Sequence, residues 1–432
     1  MKISVKQGVG FVLLLSIVLY ADFFQSFIPI YPNAVRGFVP AAWIVLSFIL
    51  IIDLRKKTVS FSRGQGLVWL EWTAMILLLL IGNSTQENAF WVTLRTLSLM
   101  ILCMTLCMVK MPEMRFLPWM VAGVGYIHVL ATLFLFLVPS AYSFVERAYG
   151  YVPSGTNNGA MGYRAGITFH YSLNGLLIIL VVLVLGAFIA ADVVFKKRRR
   201  LFLWILFAAA GFALILTAKR GPLLCGVLCF IGLYFLCYPN KIFRTSVKLL
   251  LVGALIAVIL FILVPRIPVL NAVYQRFTTV GDDAESHGRL KMWEFAWQMF
   301  KQRPILGYGW DSFTVYFKKT GIYVGNLPHA HNVYLQLLAE RGIVGLLCFL
   351  AAVLTPFFRT VSLLVKRQTK NLSYDATVFL FLSFLFQVFF ILYSATDGTL
   401  YGVAFYFYPL FVSLTYAVSN SSEMTNRGLQ HA

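Results

Sequence analysis

The run Pro328-His329-Ala330-His331-Asn332-Val333-Tyr334-Leu335-Gln336-Leu337-Leu338-Ala339-Glu340-Arg341-Gly342 holds the residues best suited to chemistry. An imidazole, two amides and a carboxylate lead straight into the apolar stretch Ile343 to Leu354. On a helix, Asn332, Gln336 and Glu340 share one stripe at i, i+4 and i+8. Polar groups placed that way in hydrocarbon are costly and face a cavity or a partner. A neutral imidazole, with an ordinary pKa of about 6.5, can take a proton from a reacting hydroxyl. His331 is therefore the expected reaction-centre residue, with Asn332 and Gln336 in support. Glu340 lies about two turns deeper and is expected to be structural. His329 reads as a loop residue close enough to assist.

Basic residues beside helix ends supply the second kind of chemistry. Arg164 lies in Gly162-Tyr163-Arg164-Ala165-Gly166, with His170 shortly after it. Lys219 and Arg220 lie in Thr217-Ala218-Lys219-Arg220-Gly221-Pro222, and Arg289 in Ser286-His287-Gly288-Arg289-Leu290. Guanidinium forks match phosphate oxygens in bidentate fashion. Several of them converging at a membrane surface would suit a diphosphate attached to a lipid. Gly221 and Pro222 also open a helix, whose N-terminus adds free backbone N–H groups beside Arg220. Lys219 is the residue best explained by snorkelling to headgroups. Asp282 and Asp283 are the obvious metal candidates, but nothing nearby in sequence completes an oxygen cage, so no metal is expected. All six cysteines sit in apolar runs and read as small core residues.

The elements that must position these residues are membrane helices. The chain of 432 residues is 60% hydrophobic and 12% charged, with mean hydropathy +0.80. Soluble domains run at roughly 45–50% apolar and 25% charged. About 12 spans can be drawn: residues 9–27, 38–53, 67–82, 90–109, 117–138, 171–195, 201–218, 222–238, 249–265, 332–356, 375–395 and 402–419. No small-residue cleavage site follows the first apolar run, so a first anchor helix is expected rather than a removable leader. With the N-terminus inside, most of the 36 basic residues fall in cytoplasmic stretches, as the positive-inside rule requires. Both termini are then cytoplasmic. The net charge of +20 is explained by topology, which disfavours a nucleic-acid function.

The expected fold is all-α and polytopic. Residues 1–265 carry transmembrane helices 1–9, 266–330 form a long exoplasmic segment, 331–419 carry helices 10–12, and 420–432 form a cytoplasmic tail. Within the exoplasmic segment, Leu290, Trp293, Trp297 and Phe300, with Ala296, predict an amphipathic helix lying on the bilayer or roofing a cavity. Ser286 is its expected cap and Pro304 its stop.

Taken together, Gly288-Arg289 with Trp293, then Pro304, Gly307 and Gly309, then His331-Asn332, Leu335-Gln336, Glu340, Gly342 and Gly345 resemble the signature region of the bacterial O-antigen ligase/polymerase superfamily. Thr217 to Gly221 resembles its basic outward turn, and Arg164 with Gly166 and Asn174 its upstream arginine motif. One departure is Tyr171-Ser172-Leu173-Asn174, where relatives often carry an Asn-Pro-Asn type sequence. The resemblance implies a C-type integral-membrane glycosyltransferase of the bacterial inner membrane, working on its periplasmic side without nucleotide, metal or other cofactor, and inverting the anomeric centre. Its donor would be a glycan on undecaprenyl diphosphate, and its acceptor a sugar of lipid A-core or a growing glycan. Arg164, Arg220 and Arg289 would bind the diphosphate, and His331, with Arg289, would act at the reaction centre. A polymerase of the same superfamily fits the same signature. A lipid or polysaccharide transporter fits less well, because the polar residues cluster near one surface instead of at mid-membrane.

Overall fold

The computed structural model describes residues 5–24, 33–52, 63–81, 89–149, 162–191, 197–238, 284–321, 329–367 and 372–428. Its helices are α1 (Val5–Leu19, continuing into a π turn, Tyr20–Phe24), α2 (Asn33–Ile51), α3 (Arg63–Leu80), α4 (Ala89–Leu106), α5 (Met111–Met114), α6 (Leu117–Leu137), α7 (Tyr142–Tyr149), α8 (Tyr171–Ala191), α9 (Lys197–Leu216), α10 (Arg220–Cys237), α11 (Ala284–Gln302), α12 (Ser312–Lys319), α13 (Val333–Arg367), α14 (Tyr374–Tyr393) and α15 (Ala404–Gly428). Each expected span except the ninth falls on one of these helices. The ninth, residues 249–265, lies outside the described residues, as do Asp282, Asp283 and the side chain of Ser286.

Among the described residues, 6 helices are long and apolar enough to cross a membrane, and three shorter ones, Gly37–Ile51, Gly64–Leu80 and Phe90–Leu106, are largely apolar. Large apolar side chains such as Leu70, Leu137, Leu224 and Phe358 point outward. So much exposed hydrocarbon is intelligible only against lipid. The chain is a multi-pass membrane protein.

The centre of the bundle is formed by α8 and α14, nearly all of whose residues are buried. Helix α8 packs on α6, α9, α10 and α14, and α14 packs on α10, α13 and α15. Between helices in lipid the hydrophobic drive is weak, so packing and polar links hold them. One such link joins three helices. Gln387 of α14 donates to Thr360 of α13 and to Ser383, both at 2.8 Å, and Thr415 of α15 donates to Ser383 at 2.8 Å. A second lies at the other edge of the bundle: His128 of α6 pairs with Asp22 of the π turn, both buried. The π turn carries Asp22 against α6 and so gives His128 its partner.

The stretch expected as a single tenth span is broken. Gly342 has φ 61° and ψ −163°, which interrupts α13 after Arg341. The freed backbone groups are taken up by the loop 304–309. Ile343 N–H donates to Pro304 O at 2.8 Å, and Gly309 N–H donates to Glu340 O at 2.8 Å. Non-helical backbone is tolerated at membrane depth only when protein repairs it in this way. Arg341, buried just before the break, donates to the carbonyls of Ile81 and Leu79 at the end of α3.

Helix α11 is present and stops before Pro304, but its buried face differs from the expected one. Met292, Ala296 and Met299 are buried against Phe313, Phe317, Ala330 and Ala339, while Leu290 and Trp297 are exposed. The reason is the partner: the slimmer Met/Ala face fits against α12 and the start of α13. Trp293 bridges the two faces, its indole N–H donating to Ala330 O at 2.8 Å.

A Cβ at Gly342 would overlap the Ile305 carbonyl and would force a left-handed backbone on an L residue. Gly342→Ala is expected to cost about 3 kcal/mol or more. Gly66→Ala, where a Cβ meets nothing within 4 Å, should be neutral or stabilising by up to about 1 kcal/mol. Thermal midpoints in detergent would test the contrast, and equal midpoints would refute it.

Candidate functional site at one end of the bundle

Four connections open at the same end of the bundle: the turn before α8, the α9–α10 turn, the start of α13, and the loop between α14 and α15. Every sequence-selected residue sits in one of them or in α11.

His331 stands just before α13 with φ 50°. The left-handed backbone turns its ring toward the α14–α15 loop, where Nδ1 lies 3.2 Å from Asp397 Oδ1. Two bonds hold that approach: Val333 N–H donates to Ser394 O at 2.8 Å, and Tyr334 hydroxyl donates to Ile391 O at 2.7 Å. Asn332 faces the helix, its Oδ1 accepting from Leu335 N–H at 3.1 Å. It therefore caps α13, which is work within the helix terminus.

Asp397 was not selected from the sequence. It follows α14 in Ser394-Ala395-Thr396-Asp397-Gly398, a short polar turn between two spans, which is the one signal that could have marked it. Burial alone would raise its carboxyl. The hydrogen bond and charge of His331, the charge of Lys219 and the Tyr393 hydroxyl outweigh that, and the carboxyl is held well below the usual range. Gly398 N–H also donates to Oδ1 at 2.7 Å. An ionised carboxylate can only accept, so Nδ1 of His331 carries a proton, and in the neutral form of the ring the lone pair is on Nε2. Nε2 has no hydrogen-bond partner among the described residues.

The basic residues surround this pair. The Lys219 ammonium lies 4.6 Å from the ring centroid of Tyr171, and the Arg164 guanidinium 5.4 Å from the same ring. Such cation–ring contacts contribute about 0.5–2 kcal/mol and orient both charges. The turn carrying Arg164 is pinned by Asn174, which donates to Arg164 O at 3.0 Å and to Thr132 at 2.9 Å. Arg289 reaches from α11 to Thr396 O at 3.4 Å. Arg220 is the first residue of α10. Its neighbour Gly221 lets α10 approach α14, since a Cβ there would lie 2.9 Å from Tyr393 Cε2 and 3.4 Å from Thr396 Oγ1. Lys219, expected as a headgroup snorkeler, is instead close enough to act on Asp397. His170 accepts from Ser172 N–H at 3.0 Å and stacks on Tyr171 at 4.4 Å. It supports the ring that both cations use.

Behind His331 lies a second carboxylate. Glu340 accepts from Asp311 N–H at 3.0 Å, Tyr401 hydroxyl at 2.7 Å, Phe313 N–H at 3.2 Å and Gln336 Nε2 at 3.0 Å. Gln336 in turn accepts from Ala330 N–H at 3.0 Å. His329 stacks on Tyr401 at 5.3 Å. Burial, then the charges of His331 and Arg95, push its imidazole down to about 3, so it stays neutral. Burial likewise pushes the Asp311 carboxyl up to about 6, against the pull of Arg95 and Lys318. Among the described residues no group of three or more His, Cys, Asp or Glu is placed to hold a metal ion.

Tyr401→Phe removes one of the four donors to Glu340 and should cost about 1–3 kcal/mol. A thermal midpoint indistinguishable from the parent's would show that this bond contributes nothing.

No curated protein matches this chain. Residues 205–350 match the family model of O-antigen ligase. The matched segment runs from within α9 to within α13, and so contains Lys219, Arg220, Arg289, His331, Gln336, Glu340 and Gly342. Arg164, Tyr171 and Asp397 lie outside it and reach the same place through the fold. The matched segment carries both the basic turn at Lys219 and Arg220 and the His331 region, and over it the chain is similar to the O-antigen ligase family.

Proposed function

We propose that this protein is an O-antigen ligase-like glycosyltransferase, moving a glycan from undecaprenyl diphosphate to a sugar of lipid A-core at the periplasmic face of the bacterial inner membrane. The observation that carries the reading is the gathering of Arg164, Lys219 and Arg289 around the His331–Asp397 pair at one end of the bundle. Arg220, at the first position of α10 directly after Lys219, is assigned to the same group.

The division of labour follows from charge. The bond between the sugar carbon and the lipid diphosphate breaks as negative charge grows on the leaving oxygen. Arg164, Arg220 and Arg289, with Lys219, neutralise it. Donors fixed before the reaction need no reorganisation, and removing one such group typically costs about 10²–10³ in rate. The acceptor hydroxyl forms the new carbon–oxygen bond and gives its proton to His331 Nε2. Asp397 holds the ring in the tautomer that leaves Nε2 open and stabilises the imidazolium that forms. His170, His329, Asn332 and Gln336 keep these groups in place. No metal enters the scheme.

The decisive experiment incubates purified protein with lipid-linked glycan, with and without lipid A-core. Glycan appearing on lipid A-core establishes ligase. A ladder of lengthening glycans on the lipid carrier would make it a polymerase of the same superfamily, and neither product would end the reading. Arg289→Ala, Arg220→Ala and His331→Ala should each abolish nearly all transfer in folded protein. Asp397→Asn should lose about 10²-fold or more, and full activity in that variant would remove the aspartate from the mechanism. Transfer should persist in excess chelator, and loss restored by magnesium would overturn the metal-free scheme.

A further inference from the structure

The opposite end of the bundle carries a separate cavity of about 240 Å³. Its wall is built from four spans and a residue shortly before one of them. Arg115 precedes α6, Trp119 lies in the first turn of α6, and Phe188 lies near the end of α8. Arg199 lies near the start of α9, and Tyr374 and Asp375 open α14. Helix α8 begins at Tyr171, in the site described above, and reaches the cavity 17 residues later at Phe188, a rise of about 26 Å. Helix α14 spans a similar length from Tyr374 to Tyr393. That distance approaches the roughly 30 Å of a hydrocarbon core. The cavity therefore sits in the interfacial layer of the other leaflet.

Its chemistry is specific. Two guanidinium groups and one carboxylate leave a formal charge of +1, which matches the single negative charge of a phosphodiester. Guanidinium is the group best shaped for phosphate oxygens. Arg115 is steadied by the Phe116 ring, 4.7 Å from its Cζ. Trp119 stacks on Phe188 with centroids 4.4 Å apart and planes at 28°. The tryptophan is 50% exposed, so this aromatic wall continues onto the outer surface of the bundle. A ligand with an anionic head and an apolar body can enter from the bilayer and keep its body outside. Lys197, Arg198 and Arg200 are exposed beside Arg199 and add to the local positive potential. Basic pockets between helices at the cytoplasmic side recognise lipid headgroups by this combination.

We propose that this cavity binds the phosphodiester headgroup of an anionic membrane lipid, in the leaflet opposite the His331 site. The assignment is independent of the transfer reaction.

The test is native mass spectrometry of the full chain released from detergent, titrated with phosphatidylglycerol and, in parallel, with phosphatidylcholine. The parent should retain one phosphatidylglycerol more firmly than phosphatidylcholine. In Arg115→Gln/Arg199→Gln, retention of phosphatidylglycerol should fall about tenfold, the equivalent of roughly 1.4 kcal/mol, with an unchanged thermal midpoint. Both arginines are exposed, and glutamine keeps their polar, extended character. Asp375→Asn removes the opposing charge and should strengthen retention. Excess inorganic phosphate should not displace the lipid. Equal retention by the parent and the double glutamine variant would overturn the proposal. Displacement by inorganic phosphate would also overturn it, by making this a free-anion site.

Discussion

One buried acid organises the end of the bundle that carries His331. Glu340 stands two residues before the break at Gly342 and accepts four hydrogen bonds. The donors come from three places: the start of α12, the α14–α15 loop, and Gln336 on its own helix. Each donor would be costly to leave unpaired in a buried setting, so the carboxylate and its partners hold one another. Because Gln336 passes the constraint on to Ala330, the backbone beside His331 is fixed from below. The left-handed conformation of His331 is sustained by these neighbours and not by its own preference.

The break in α13 is the second half of the same construction. A continuous helix would satisfy its own backbone and leave no place for the segment after α11. At Gly342 the ladder opens, and loop 304–309 enters and completes it. The loop brings α11 with it, and α11 brings Arg289 to Thr396. A single glycine at one backbone position thus decides whether an arginine some fifty residues earlier reaches the site.

Electrostatics then divides the acids into two roles. Glu340 is surrounded by neutral donors and holds structure. Asp397 is surrounded by His331, Lys219 and Tyr393, and remains ionised despite burial. The same burial, joined by the charges of His331 and Arg95 and only partly opposed by Asp397, drives His329 neutral. Two histidines two residues apart are therefore suited to different tasks: one oriented by a carboxylate, the other packed flat on Tyr401.

Several of these features were legible in the residues alone. Apolar runs of spanning length mark the helices because lipid imposes that length and composition on any span. The arginines beside helix ends are marked because guanidinium forks match phosphate oxygens. His331, Gln336 and Glu340 stood out because polar groups ahead of a membrane helix require a reason. What the tertiary structure alone decided were the pairings across long separations. Asp397 meets His331 from 66 positions away, Asp22 meets His128, and the buried face of α11 is Met292, Ala296 and Met299 instead of its tryptophan stripe. Periodicity describes one helix at a time. Which of its faces is covered, and which distant side chain completes a hydrogen bond, depends on the helices that arrive beside it.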